Sequence, residues 1–352
     1  MIGNNTRKLF LLDAYALIFR AYYAFIKNPR ITSRGLNTSA IFGFLLVLEE
    51  VINKQKPSHM AVVFDHPSPT FRHEMFTDYK ANRKDTPEDI RNSIPYIKKL
   101  LEAYRIRVLD CPGFEADDII GTIARKASGK GFSTYMMTPD KDFAQLVSDN
   151  VFIVKPSRGG VESLLWGVDD IKREFCVEKP EQVIDVLALM GDASDNIPGA
   201  PGIGPKTAMK LISEFGSIEE LLKNTDKIKG KNREIIEENR KQIEFSKTLV
   251  RIDQNAPVEF NEDAFAMDEP DAAKLRPLFE ELEFKTLVAK VLGSHDREKP
   301  KEPQLYVPAH DSTQGTLFGS EEAVLPADLK SIDNVIHDYI TARSNRNGIF
   351  NL

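Results

Sequence analysis

Two cysteines in 352 residues, Cys111 and Cys176, are too few for a disulfide framework. They form no CxxC pair and stand in no Cys/His metal spacing, which excludes a thiolate zinc site and suits a reducing cytoplasm, the expected location. Uninterrupted apolar runs are also lacking. The first long apolar stretch, residues 9–25, is broken by Asp13 and Arg20. It is neither a signal-peptide core nor a membrane span, so no membrane partner is expected. The GxxxxGK[ST] loop of mononucleotide phosphate sites is absent. A basic excess is missing too: the formal net charge is −6. On average that disfavours a nucleic-acid partner, because backbone phosphates attract basic surfaces. A cluster of metal-binding acids would count as negative here and yet be neutral when occupied, so net charge does not settle the partner.

What is present is an ordinary globular composition, 41% hydrophobic and 28% charged, with length for two or three small domains or one large core with an appendage. Lys8-Leu9-Phe10-Leu11-Leu12, Met60-Ala61-Val62-Val63-Phe64 and Ser133-Thr134-Tyr135-Met136-Met137 are short runs bounded by turns, the pattern of fully buried parallel strands. Residues 106–109 and 151–154 read as further strands. Helical periodicity over 14–23, 38–53, 87–103 and 116–127 separates them. This alternation predicts an α/β fold with a mostly parallel sheet.

The acids fall at the ends of these strands. Asp13 and Asp65 follow the first two runs directly, and Asp140 and Asp142 follow the third within Thr138-Pro139-Asp140-Lys141-Asp142. Glu115, Asp117 and Asp118 open the helix over 116–127, after a fourth strand. Asp110 precedes Cys111-Pro112 and belongs to a turn. Ligands of open α/β sheets bind beyond the carboxyl ends of the strands, so these acids are predicted to converge on one edge. A helix dipole favours anions in the first turn, but by less than the cost of crowding three negative charges there. Each Asp taken alone could simply cap a helix. Together they predict divalent cations, with two ions roughly 3.5–4 Å apart clamping a phosphodiester.

Between Asp65 and Pro87, the segment Asp78-Tyr79-Lys80-Ala81-Asn82-Arg83-Lys84 would, if helical, present Tyr79, Lys80, Arg83 and Lys84 on one face. An aromatic beside basic residues suits a nucleic-acid strand, with stacking on a base and charge on phosphates; a solvated helix face is the plainer alternative. Asp192 and Asp195 sit in the tight Gly191-Asp192-Ala193-Ser194-Asp195-Asn196 loop and add two more acids. Gly202-Ile203-Gly204-Pro205-Lys206-Thr207 then leads into an amphipathic helix ended by Gly216. Exposed amides at such a helix start bind phosphate without base contacts. Residues 217–283 read as charged helices with a solvated surface, and 277–282 and 286–292 as short closing helices. From 294 to 331 the composition is that of a linker.

Taken in order, Asp13, Asp65, the Glu115–Asp118 run, Asp140-Lys141-Asp142 and Gly191–Asn196 resemble the 5′-nuclease domain of bacterial DNA polymerase I, within the flap-endonuclease superfamily. The resemblance spans about residues 8–292. It implies an α/β nuclease domain over 1–180 with a helical arch near 70–95. A helical DNA-binding region of helix-hairpin-helix type follows over 181–293, then a linker, 294–331, and the truncated start of a further domain or a tail, 332–352. It implies Mg²⁺ or Mn²⁺, two or more ions. Asp13, Asp65, Glu115, Asp117 and Asp118 match the set nearest the metals, and Asp140, Asp142, Asp192 and Asp195 complete the cluster. Arg20, Tyr79, Lys80 and Arg83 match substrate-strand and arch positions, with Lys80 on the scissile phosphate and no histidine, His73 included, as general base. Gly202, Gly204, Lys206 and Thr207 match the duplex grip, with K⁺ as its candidate ion. The implied reaction is 5′→3′ exonuclease and 5′-flap endonuclease hydrolysis of DNA, on flaps and nicked or gapped duplex, in replication and repair. No polymerase domain is expected in the chain, which is read as a fragment, a truncated product or a stand-alone nuclease. Gln314-Gly315-Thr316-Leu317-Phe318 is similar to peptides that dock on the sliding clamp. A PIN-type ribonuclease and a non-catalytic DNA-junction binder are the competing expectations.

Overall fold

In the computed structural model, residues 7–156 and 163–293 are described. The linker over 294–331, the 314–318 peptide and the 332–352 tail lie outside the described residues.

Strand β1 (Lys8–Asp13) is the middle of the sheet because its apolar run is buried on both faces. Around it stand β2 (His59–Val63), β3 (Arg107–Leu109), β4 (Ser133–Met137), β5 (Val151–Lys155) and β6 (Leu164–Trp166), in the order β3-β2-β1-β4-β5-β6. Leu12 pairs with both Val62 and Met137, so the three central parallel strands end level. Chain order reverses at β1, with β2 on one side and β4 on the other. That switch point is where a parallel sheet opens a crevice.

Alternate side chains feed two cores. Leu9, Leu11, Ala61, Val63 and Met136 point into one; Phe10, Leu12, Met60, Val62 and Met137 point into the other. Helices α1 (Ala14–Ala24), α2 (Ser39–Glu50), the short α3 (Phe71–Met75), α4 (Glu88–Ala103) and α5 (Ala116–Ser128) connect the strands, and a π-helical turn, Val51–Gln55, extends α2. Beyond β6 come α6 (Val168–Phe175), α7 (Val183–Met190), α8 (Pro205–Phe215), α9 (Ile218–Lys223), α10 (Lys231–Glu238), α11 (Arg240–Val250), α12 (Glu262–Phe265) and α13 (Ala272–Glu281). Apolar residues of α7, α8, α9, α10 and α11 join Ile119, Ile123 and the sheet in a single core. The described residues on either side of residue 180 thus share one core.

Three local readings change. Strand β6 runs antiparallel on the edge, Trp166 opposite Ile153; three residues are too few to show a periodicity. Helix α13 begins well before Pro277 because Asp271 caps it, accepting from the amides of Ala273 and Lys274 at 3.1 Å. The stretch just after α3 is not helical. Residues 77–82 form turns, closed by Tyr79 N–H to Phe76 O at 3.0 Å and Arg83 N–H to Lys80 O at 3.0 Å, with Lys80 at φ +57°. Cys111 is buried, Cys176 is exposed, and both are free thiols. No helix among the described residues is long and apolar enough to cross a membrane.

Candidate active site

Level strand ends bring the acids together. Asp13 ends β1 and caps α1, its Oδ1 accepting from Ala16 N–H at 3.2 Å and its Oδ2 from the Thr138 hydroxyl at 3.0 Å. Thr138 in turn accepts the Asp140 N–H at 3.1 Å, so one buried hydroxyl sets two acids. Asp65, just past β2, accepts the Ala116 N–H at 2.8 Å, which ties it to the start of α5. Asp13, Asp65, Asp117, Asp140 and Asp195 line a single cavity of about 620 Å³, with Lys80, Arg83, Tyr15 and His66.

The charges are felt across this cavity. Burial first, then the Asp65 charge, pushes the Asp13 carboxyl up to about 7. Burial followed by Asp140 and Asp13 holds Asp117 well above the usual carboxylate range, and burial raises Asp65. Carboxyls raised by desolvation and mutual repulsion call for a positive counter-charge.

Asp142 and Asp192 lie beside this group. Lys141 pairs with Asp192 and stands 3.4 Å from Asp142. Burial, then Asp140, raises Asp142 to about 7, and its Oδ1 is buried with no hydrogen-bond partner. The loop carrying Asp192 and Asp195 is closed by Asp192 N–H to Ile197 O, 2.9 Å, and Ile197 N–H to Asp192 O, 2.8 Å. Its two ends touch: a Cβ on Gly199 (φ +57°) would lie 2.3 Å from the Gly191 nitrogen. Only glycine fits there.

Glu115 caps α5 and turns toward the 77–83 turns. It accepts from the Tyr79 hydroxyl at 3.0 Å and from the Lys80 ammonium at 2.5 Å. Asp195 also accepts from Tyr79, 3.1 Å, lies 3.6 Å from Lys80, and pairs with Arg83. Burial would lower the Lys80 pKa, but Glu115 and Asp195 prevail and raise it, so Lys80 is a fixed cation. The backbone reinforces this: Lys80 N–H donates to Asp195 O, 3.0 Å, and Asn196 donates to Asp78 O, 2.7 Å. The expected helical face of Tyr79, Lys80 and Arg83 does not form, and Tyr79 is 3% exposed, with no ring face open to a base. The attraction of these side chains to the acids outweighs local helical spacing. His73 is half-buried, its Nδ1 meeting the Thr70 hydroxyl at 2.9 Å at the start of α3.

Asp118, expected among the ligands, does not line the cavity. It is completely buried, turned away from the cavity, and held by Arg72 through two bonds of 2.8 Å. Arg72 carries no role in the sequence reading; its one signal is a charge set among Phe71, Met75 and Phe76. Thr138 was missed as well, although it stands directly between β4 and Pro139-Asp140. Arg20 is elsewhere, beside Lys155 and Pro156, its Nη2 donating to Pro156 O at 3.5 Å. Gly202, Gly204, Lys206 and Thr207 are grouped at the start of α8, where Gly204 caps the helix without a side chain and Lys206 is exposed.

Among the described residues, no group of three or more His, Cys, Asp or Glu side chains is already closed around one point as a metal's ligands. The donor set is nonetheless all carboxylate oxygen, the kind hard divalent cations take. With Asp142 Oδ1 beside it, buried and accepting no hydrogen bond although Lys141 stands 3.4 Å away, the residues present fit such ions.

Residues 8–179 match the family model described as 5′-3′ exonuclease, N-terminal resolvase-like domain, and residues 178–273 match 5′-3′ exonuclease, C-terminal SAM fold. The chain is 38% identical over 285 residues to the 5′-3′ exonuclease of Aquifex aeolicus, covering 81% of this chain and 95% of that protein. It is 36% identical over 335 residues to DNA polymerase I of Bacillus caldotenax, covering 94% of this chain and 37% of that protein. The chain thus spans about a third of the polymerases it matches. A bacteriophage T5 flap endonuclease, solved as a pseudo-enzyme–product complex with DNA and metal ions, aligns at a TM-score of 0.59, covering 80% of this chain and 98% of that one. At 20% identity, that likeness is one of fold.

Proposed function

The chain belongs to the 5′-3′ exonuclease family, and from that premise we propose that it hydrolyses DNA phosphodiesters as a 5′→3′ exonuclease and 5′-flap endonuclease, by a mechanism using two divalent ions. The observation that carries this reading is the meeting of Asp13, Asp65, Asp117 and Asp140 at one cavity beyond the carboxyl ends of the strands. Mg²⁺ or Mn²⁺ bound there would supply Lewis acidity, activating water for attack and offsetting charge on the leaving oxygen.

The protein's own groups then have distinct tasks. Asp13, Asp65, Asp117 and Asp140 would hold the ions. Asp142, Asp192 and Asp195 complete the cluster from the adjoining loops. Thr138 and the Ala116 amide fix the orientation of Asp13 and Asp65. Lys80, kept charged between Glu115 and Asp195, faces the cavity and contacts the scissile phosphate, with Arg83 beside it. The start of α8, with Gly202, Gly204, Lys206 and Thr207, grips duplex phosphates through exposed amides and charge, with K⁺ as the candidate ion. Arg20 contributes to strand binding from its separate surface.

The proposal extends to a role in replication and repair, on flaps and nicked or gapped duplex; relatives named DNA polymerase I support a link to DNA synthesis. A labelled 5′-flap incubated with Mg²⁺, with and without EDTA, tests the reading. Metal-dependent release of the flap is expected, abolished by Asp117→Asn while flap affinity remains. Cleavage unaffected by EDTA, or preferred cleavage of an RNA counterpart, would reject it. Docking on the sliding clamp through residues 314–318 is tested by pull-down with Leu317→Ala and Phe318→Ala combined.

A further inference from the structure

A charged group with every donor bonded lies outside the cavity. Arg72 is 2% exposed, and its guanidinium makes five hydrogen bonds. Nε donates to Leu249 O at 3.0 Å, Nη1 to Glu115 Oε2 at 3.2 Å and Asp118 Oδ2 at 2.8 Å, and Nη2 to Asp118 Oδ1 and Arg251 O, both at 2.8 Å. An arginine has five N–H donors, so none is left over.

Asp118 is filled in the same way. Besides Arg72, it accepts the Glu115 N–H at 3.1 Å on Oδ2 and the Asp253 N–H at 2.8 Å on Oδ1. An ionised carboxylate has about four lone-pair positions, and here all are occupied by protein donors. No oxygen of Asp118 remains for a cation. Its neighbour Asp117 lines the cavity, because consecutive residues of a helix point about 100° apart.

We infer that Arg72 is a positioning residue with Asp118 as its anchor: the guanidinium ties residues 249–253, the segment leaving α11, to the first turn of α5 and so sets where Glu115 and Asp117 present their carboxylates. The inference rests on the nuclease reading of the cavity. It separates two adjacent acids by role, Asp117 holding metal and Asp118 holding the scaffold. It also links the helical region that carries the DNA grip to the acid cluster through one side chain.

The test uses the full chain and compares Asp118→Asn, Arg72→Lys, their combination and Asp117→Asn. Mn²⁺ binding is titrated by electron paramagnetic resonance without DNA, and hydrogen exchange is followed at the 249–253 amides. Asp118→Asn and Arg72→Lys should each keep the wild-type number of bound ions. Both should weaken Mn²⁺ affinity by about 10–100-fold, as loss of a group supporting a ligand does, and both should speed exchange at 249–253. The combined variant should be no worse than the more damaged single one, because the two act as a unit. Asp117→Asn should lose bound Mn²⁺ with the 249–253 exchange unchanged. Loss of an ion in Asp118→Asn with normal exchange at 249–253 would overturn the assignment. So would loss of near-UV circular dichroism in both Asp118→Asn and Arg72→Lys, since the tie would then govern folding rather than placement. A wild-type chain that neither binds Mn²⁺ nor cuts a flap fails at the first step, and it removes the nuclease reading together with this one.

Discussion

Lys141 joins two loops through Asp192: its ammonium pairs with that carboxylate while remaining 3.4 Å from Asp142 on its own loop. Burial alone would raise Asp192, but hydrogen bonds from Lys141 and Ser194 prevail and hold it below the usual carboxylate range. Lys141→Met should therefore loosen the two loops when no divalent ion is present. The lysine is 42% exposed, so solvent screens the pair and the cost is about 1 kcal/mol. That corresponds to a melting temperature lower by about 1–2 °C in EDTA. Mg²⁺ should stabilise the variant more than the wild type, since the ion takes over the missing counter-charge. Equal shifts with and without Mg²⁺ in thermal unfolding would contradict this.

The raised acids give the metal-free protein an unusual pH dependence. Asp13 and Asp142 titrate near 7 in the folded chain against 3.8 for the ordinary side chain, and Asp65 and Asp117 are also raised. A folded state that binds protons more tightly than the unfolded one is stabilised below the unfolded value and loses that advantage as pH rises through the folded value. His59 acts in the opposite sense, since burial lowers its pKa and makes its contribution grow with pH, but it is one group against several. In EDTA the melting temperature should fall between pH 5 and pH 8. Saturating Mg²⁺ should reverse or flatten that slope, because the ions favour the ionised acids. A melting temperature that rises with pH in EDTA would show that the cluster is not desolvated as described.

Much of this was legible in the sequence because buried parallel strands read as unbroken apolar runs, and those of β1, β2 and β4 are each followed closely by an acid. Leu12, level with Val62 and Met137, converts that one-dimensional pattern into a shared edge. Adjacent acids are harder to separate. Asp117 and Asp118 are equivalent as letters, and only the rotation of α5 sends one to the cavity and the other to Arg72. The helical face offered for Tyr79 and Lys80 does not form because spacing reports local preference, whereas Glu115 and Asp195 lie 36 and 116 residues from Tyr79 in sequence. Helices α6 and α7 and the short β6 gave no reading either. In particular, α7 is apolar nearly all round, which removes the periodicity that would mark it.

Two glycines of the 191–204 stretch should fail in different ways. At Gly199, alanine meets the Gly191 backbone at 2.3 Å in a left-handed conformation, so the loop bearing Asp192 and Asp195 must shift. Gly199→Ala should cost about 1–3 kcal/mol or more and reduce flap cleavage at every DNA concentration. Gly202, at φ +85°, has only Ile235 Cδ1 near, at 3.9 Å, and an added methyl has room. Gly202→Ala should cost about 1 kcal/mol for the backbone conformation alone, and should weaken duplex binding with near-normal turnover at saturating DNA. Measuring kcat and KM for both separates the cases; identical profiles would refute the division between acid loop and DNA grip.

Tyr79→Phe decides between two roles for the same ring. Its hydroxyl is 3.0 Å from Glu115 and 3.1 Å from Asp195, but it has one proton and can serve only one carboxylate at a time. Lys80, 2.5 Å from Glu115 and 4.9 Å from the centre of the Tyr79 ring, supplies the remaining positive charge. Phenylalanine keeps the ring and its contact with Lys80 and removes only the hydroxyl. A hydrogen bond to a charged acceptor is worth about 1.5–3 kcal/mol. If the tyrosine holds Glu115 and Asp195 in place, turnover on a 5′-flap should therefore fall about 10–100-fold at fixed Mg²⁺, with flap affinity unchanged. If its work were stacking on a base, phenylalanine would serve as well and turnover would stay at the wild-type level. The ring's burial argues for the first outcome, and single-turnover cleavage with a parallel binding titration distinguishes them.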